Sequence, residues 1–215
     1  MNPKDGRPTI RSTIRSAHRH PIGALRLTVA GIILLLAASL VAAQSVEKPA
    51  APSASAPAAA QSADEAYSKG LDFEKKQNYA EAMRWYHVAA EQGNAFAQMR
   101  IGDLYGDGHG VPQNYGEALR WFRLAAAQGN SQAQNNVGMF YVQGWGVAQD
   151  YGQALSWFRK AADQGNAVAQ RNIGLIYFQG WGVAADRAEA IRWWRKAAAN
   201  GDDQSKDVLK QLGDN

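Results

Sequence analysis

From about residue 63 onward, apolar residues recur at the three-to-four-residue spacing of a helix face, in runs broken by short polar or glycine-rich stretches. Between residues 131 and 166, Ala133, Val137, Phe140 and Tyr141 form one such face. GWGVAQD then interrupts, and Ala154, Trp157, Phe158, Ala161 and Ala162 form a second. This block therefore reads as two helices joined by a loop. The same pattern returns at a step of 36 residues without a gap, in AFAQMRIGDLYGDGHGVPQNYGEALRWFRLAAAQGN (95–130), SQAQNNVGMFYVQGWGVAQDYGQALSWFRKAADQGN (131–166) and AVAQRNIGLIYFQGWGVAADRAEAIRWWRKAAANGD (167–202). ADEAYSKGLDFEKKQNYAEAMRWYHVAAEQGN (63–94) repeats it with four loop residues missing. DQSKDVLKQL begins a fifth unit that stops, so 203–215 is expected to be a capping helix. A fixed period of this size marks an array of supersecondary units, and the fold class is all-α.

The breaks carry helix-end chemistry. Asn78/Glu81, Asn114/Glu117, Asp150/Gln153 and Asp186/Glu189 place an Asn or Asp three residues before Glu or Gln, a variant of the capping box at the start of each second helix. Those helices then meet Gly93, Gly129, Gly165 and Gly201, and Asn94, Asn130, Asn166 and Asp202 stand ready to cap the next helix. Gly70, Gly102, Gly138 and Gly174 lie inside the first helices, where glycine costs about 1 kcal/mol against alanine. Its use in all four units predicts a partner helix too close for a methyl group. Ala-Ala pairs such as 161/162 read the same way, with Trp85, Trp121, Trp157, Trp193 and their aromatic neighbours supplying bulk.

The loop glycines of QGWGV, at 143–147 and again at 179–183, do not make a phosphate cradle. Such a cradle follows a strand, and no alternating β-branched run precedes any of these loops. Nucleotide binding is not expected. Val111, Val147 and Val183 are expected to plug the loops onto the core. For Trp145 and Trp181, stacking on a sugar or aromatic partner competes with contact between neighbouring loops, and the second is favoured.

Charge changes the picture little. Of 23 basic and 19 acidic residues, six basic and one acidic precede residue 44, leaving 17 against 18 in the rest. The repeats intersperse both signs, which excludes a basic nucleic-acid face. The six basic residues flank LTVAGIILLLAASLVAA (27–43), 17 residues that span about 25 Å as a helix against a hydrocarbon core of about 30 Å. Val41 and Ala43 favour cleavage as a signal peptide; the long basic region and long apolar run favour an uncleaved anchor. Segment 1–43 is therefore a signal peptide or signal anchor. In either case the positive flank stays in the cytoplasm and the repeats cross, giving a periplasmic location, anchored at the inner membrane or released near Ala43. A buried core helix is the remaining alternative. Residues 44–62, rich in Ala, Pro and Ser, read as a disordered linker, and no cysteine is present to build a disulfide framework.

The assembled pattern, A-x3-[IV]-G-x2-Y-x2-G-x-G-V-x2-[ND]-Y-x2-A-[LI]-x-W-[FW]-x2-AA-x2-G, resembles the Sel-one-like repeat, a helix-turn-helix family related to the tetratricopeptide repeat. The likeness covers 63–202. Unit 63–94, with Lys69 before Gly70 and no glycine loop, looks more like an ordinary tetratricopeptide repeat, and Arg187-Ala188 replaces Tyr-Gly in the last unit. The resemblance implies a right-handed α-solenoid of paired helices that serves as an adaptor or scaffold, often in exported bacterial proteins.

Positions filled alike in every unit serve shared architecture, and those that differ are free for another role. On the first helices the differing set includes Phe96, Met99, Asp103 and Asp107, then Asn135, Met139, Val142 and Gln143, then Val168, Arg171, Leu175, Phe178 and Gln179. By similarity to tetratricopeptide repeats these line a concave groove, matched in the first unit by Asp64, Tyr67, Leu71, Glu74 and Lys75. Two readings are open: a groove binding an apolar or aromatic segment of a partner protein, oriented by Asp103, Asp107 and Arg171, or side chains buried against adjacent repeats.

Catalysis is not expected. His87 and His109 are the histidines of the repeats and have no second ligand at metal spacing, and no serine sits in a nucleophile elbow. His87 falls where other units carry Arg123, Arg159 and Arg195, an apparently solvated position. The expected function is a non-catalytic protein–protein interaction scaffold with an envelope-associated partner, requiring no cofactor and no metal. The alternative is a cell-envelope enzyme or a peptidoglycan- or glycan-binding module.

Overall fold

The computed structural model describes residues 62–214, so the expected leader or anchor and the linker up to residue 61 lie outside the described residues. Within them the chain forms α1 (Ala63–Lys75), α2 (Tyr79–Glu91), α3 (Ala95–Asp107), α4 (Tyr115–Ala127), α5 (Ser131–Gln143), α6 (Tyr151–Ala162), α7 (Ala167–Gln179), α8 (Arg187–Ala199) and α9 (Asp203–Gln211). Each helix packs on the one before and the one after, from α1 on α2 to α8 on α9. The result is a solenoid of helix pairs whose stability is built from nearest-neighbour contacts.

The core is a row of clusters, each joining one unit's second helix to the next unit's first. Ala82, Tyr86 and Ala89 of α2 meet Ile101 and Leu104 of α3. Leu119 and Phe122 of α4 meet Val137 and Phe140 of α5, and Leu155 and Phe158 of α6 meet Ile173 and Ile176 of α7. The last cluster, Ala190 and Trp194 with Leu209, seats α9 on α8.

The first-helix glycines are contact points, as their cost predicted. A methyl at Gly138 would lie 2.6 Å from the Phe158 ring, one at Gly102 2.7 Å from Phe122, and one at Gly174 2.5 Å from Trp194 Nε1; at Gly70 it would meet Tyr86. The rings are buried, so they cannot yield.

Helix caps follow the sequence with one difference. Asn78, Asn114, Asp150 and Asp186 each accept from the backbone three residues on. The reciprocal half of the box is formed only at α1, by Ser62 and Glu65. Elsewhere the glutamate turns to an arginine one turn later: Glu81 to Arg84 at 2.9 Å and Glu117 to Arg120 at 2.9 Å, with Glu189 paired to Arg192.

The glycine loops couple repeats. Gly144 ends α5 in the left-handed conformation, and Gly146 (φ 63°) lies where a Cβ would stand 2.7 Å from the Tyr115 carbonyl of the preceding unit. Beside it Trp145 stacks on Tyr115, with centroids 5.0 Å apart and planes 6° from parallel. Trp181 does the same on Tyr151 at 5.4 Å, and His109 on Tyr79 at 4.6 Å. The partner in each case is the first residue of the preceding unit's second helix, not a neighbouring loop as the sequence suggested.

This coupling explains where the units depart from their pattern. Arg187-Ala188 stands in the one full unit with no glycine loop laid over it among the described residues, and Arg187 instead donates to the Leu212 carbonyl at 3.5 Å. At the other end Ile101, Val137 and Ile173 are sealed against the preceding unit. Lys69 fills their place in the first unit, half-buried, with its ammonium 4.4 Å from the Trp85 ring centroid. No described unit packs there.

Candidate interaction face

The first helices α1, α3, α5 and α7 carry the expected groove positions, and their exposure is uneven. Phe96 is 54% and Val168 40% exposed, both in the first turn of their helices. Asp107, Gln143 and Gln179 are exposed at the other end. Asp103, Met139, Val142, Arg171, Leu175 and Phe178 are half-buried. Met139 and Val142 lie against the α6–α7 cluster, and Phe178 packs at 5.3 Å from Trp194.

Met99 and Asn135 are not on the surface, a correction to the sequence reading. Met99 belongs to the α4–α5 cluster, and buried Asn135 accepts from Asn172 Nδ2 at 3.0 Å. The reason is directional: the fifth position of every first helix points at the next unit. Tyr67 there faces Phe96 at 6.1 Å, and Arg171 Nη1 reaches Asp202, the last residue of its own unit and the N-cap of α9, at 2.5 Å. These positions vary because each is matched to a different neighbour.

Between α1, α3 and α5 runs a polar cluster. Arg100 Nη1 lies 3.8 Å from Glu74 and 3.6 Å from Asp103, and Asn136 donates to Asp103 at 3.5 Å. The Tyr86 hydroxyl donates to Glu74, and burial with that bond pushes its pKa far up. Burial also pushes the Asp103 carboxyl up to about 7; nearby Asp107 and Glu74 add to this, while Arg100 opposes it.

Because Asp103 holds its proton more tightly folded than unfolded, its contribution to stability is lost as pH rises from the ordinary carboxylate value toward 7. Asp103→Asn is expected to flatten the decline in melting temperature between pH 5 and pH 8, measured by circular dichroism. An unchanged slope would show that Asp103 does not drive it.

His87 is half-buried rather than solvated, a second correction. Arg123 and Arg159 reach across to the hydroxyls of Tyr141 (2.9 Å) and Tyr177 (2.7 Å) in the next unit. The shorter histidine instead sets its ring edge-on to Trp121 at 5.3 Å, and burial lowers its pKa.

Sequence reasoning missed a buried amide ladder. Gln98, Gln134 and Gln170 donate to the carbonyls of Ala90, Ala126 and Ala162, and accept from Gln128, Gln164 and Asn200 at 2.7 to 2.9 Å. The signal was present, since all three full units place glutamine fourth. The ladder satisfies buried polar atoms and ties units together.

Among the described residues no group of three or more His, Cys, Asp or Glu side chains is placed to hold a metal, and no helix is long and apolar enough to cross a membrane.

These features define an α-solenoid of the repeat-scaffold class, whose members typically bind proteins and do not catalyse reactions. The chain belongs to the Sel1 repeat family, whose model matches residues 56–94, 95–130, 131–166 and 167–202. Among solved structures it is similar to c5321, a protective antigen of uropathogenic Escherichia coli strains displaying an SLR fold. That likeness has 33% identity over 70% of this chain and 33% of that one, with a TM-score of 0.64. A Sel1 repeat protein from Oxalobacter formigenes is 31% identical over 69% of this chain and 62% of that one, at a TM-score of 0.66. The chain thus spans less than two thirds of either relative. No curated protein matches it.

Proposed function

We propose that this chain is a non-catalytic scaffold outside the cytoplasm that binds a segment of an envelope-associated protein along its first-helix face. The observation that carries this reading is the pair of large apolar side chains, Phe96 and Val168, left exposed on two first helices of a family built for interaction. Met139, Leu175 and Phe178, further along the first helices, are half-buried. The extracytoplasmic location is supported by the basic flank and apolar run at 27–43, retained as an anchor or removed near Ala43. Mass measurement of the mature N-terminus decides between those two.

Phe96 and Val168 are also the right places to test docking. Met139 and Phe178 touch core clusters, so charging them would mix lost binding with lost stability. Phe96→Asp with Val168→Asp is expected to change unfolding free energy by only about 0.5 kcal/mol per site and to abolish cross-linking to the envelope partner in a solubilised membrane fraction. Undiminished cross-linking to the same partner would refute docking on this face.

A further inference from the structure

We infer that Asn200-Gly201 is a covalent modification site: the asparagine converts spontaneously to aspartate and isoaspartate through opening of the last helix junction, and the product no longer holds α9 in place. This inference is independent of docking on the first-helix face. The position recurs as Gln92, Gln128, Gln164 and Asn200, each directly before the glycine that ends a second helix. Only the last is asparagine, and it makes the one Asn-Gly step in the sequence.

Chemistry separates the four. The Gly201 backbone nitrogen can bond to Asn200 Cγ while the Cγ–Nδ2 bond breaks, and ammonia leaves with the Gly201 amide proton, closing a five-membered imide. The longer glutamines would have to close a six-membered ring, which forms far more slowly. Glycine has no side chain to hinder the attack, and asparagine is a thermolabile residue in general. Water then opens the imide at either carbonyl, leaving a carboxylate on the normal backbone or on one lengthened by a methylene. Asn200 is exposed, so base and water reach it.

The fold holds this reaction in check. Asn200 ends α8 at φ −90° and ψ 16°, where the Gly201 nitrogen nearly eclipses the Asn200 nitrogen and stands away from the side chain. The Gly201 N–H donates to the Ala198 carbonyl at 3.1 Å, and Asn200 Nδ2 donates to Gln170 Oε1 at 2.9 Å. These restraints sit at the end of the array, where the short α9 rests on α8 and local opening needs least free energy.

Conversion damages the same junction. A carboxylate at 200 cannot donate to Gln170 Oε1, and turning the Gln170 amide over would take its Nε2 from the Ala162 carbonyl, 3.1 Å away. The new negative charge falls at the C-terminus of α8, where the helix dipole opposes it. It also stands two residues before buried Asp202, the N-cap of α9.

The full-length chain in mild detergent, kept warm at mildly alkaline pH and digested with trypsin, tests this. Peptide 197–206, AAANGDDQSK, contains Asn200 as its one asparagine, and mass spectrometry follows the change from amide to acid. Conversion is expected in the native chain, slower than in urea, and absent in Asn200→Gln, which keeps the donor. Leu209→Ala, which loosens α9, should speed native conversion about tenfold or more. Hydrogen exchange over 203–211 should be faster in Asn200→Asp than in Asn200→Gln. No conversion even in urea would overturn the site. Equal rates in native and urea-unfolded chains, or no acceleration by Leu209→Ala, would overturn its control by the junction. Unchanged exchange in Asn200→Asp would overturn the release of α9.

Discussion

Deleting residues 131–166 is expected to yield a shorter helical protein that still unfolds in one cooperative transition, whereas deleting only 149–166 should abolish that transition. The whole-unit deletion joins Asn130 to Ala167 and rebuilds every interface in kind. Trp181 falls on Tyr115 in place of Tyr151, the Gly182 loop meets Gly116, and Arg123 reaches Tyr177 as it had reached Tyr141. Ile173 replaces Val137 against Phe122. Nearest-neighbour arrays tolerate such excision because no contact spans beyond adjacent units. Loss of α6 alone removes Phe158 and leaves Gly138 of α5 and Ile173 of α7 without the helix that both require. Circular dichroism during urea titration checks both constructions. A broad, non-cooperative curve for the whole-unit deletion would refute the modular account.

Phe158→Ala is expected to cost about 3–5 kcal/mol, the range for truncating a buried phenylalanine. Its ring is 1% exposed, fills the gap left by Gly138 and contributes to the cluster with Ile173 and Ile176. Gly138→Ala attacks the same contact from the other side and should cost about 1–3 kcal/mol by overpacking. Because both changes act on one contact, the double variant Gly138→Ala/Phe158→Ala should lose less than the sum of the two. Measured additivity in denaturant unfolding would place the glycine's role elsewhere.

Much of this architecture was legible in the residues themselves. The period, the two helices per unit, the caps at Asn94, Asn130 and Asn166, and the intolerance of Gly138 to a methyl all follow from local chemistry repeated in register. The face was less legible, because comparing units separates shared from variable positions and does not separate exposed from buried ones. Asn135 varies since it answers Asn172, and Arg171 varies since it answers Asp202. Each is a private pair across one junction. His87 misled for a related reason: its arginine counterparts extend to a tyrosine, and a shorter side chain at that site turns inward.

The sequence by itself determined that this protein is an array of helix pairs, and where each helix begins and stops, because helix periodicity and capping act within a few residues. Even the odd residues at Lys69 and Arg187-Ala188 were visible as departures. Only the tertiary structure decided what they mean, which variable side chains face solvent, and that Glu74, Arg100 and Asp103 gather from two different helices. Those outcomes depend on how one unit is rotated against the next, a geometry set jointly by glycine contacts, buried amides and loop stacking, and therefore carried by no single stretch of chain.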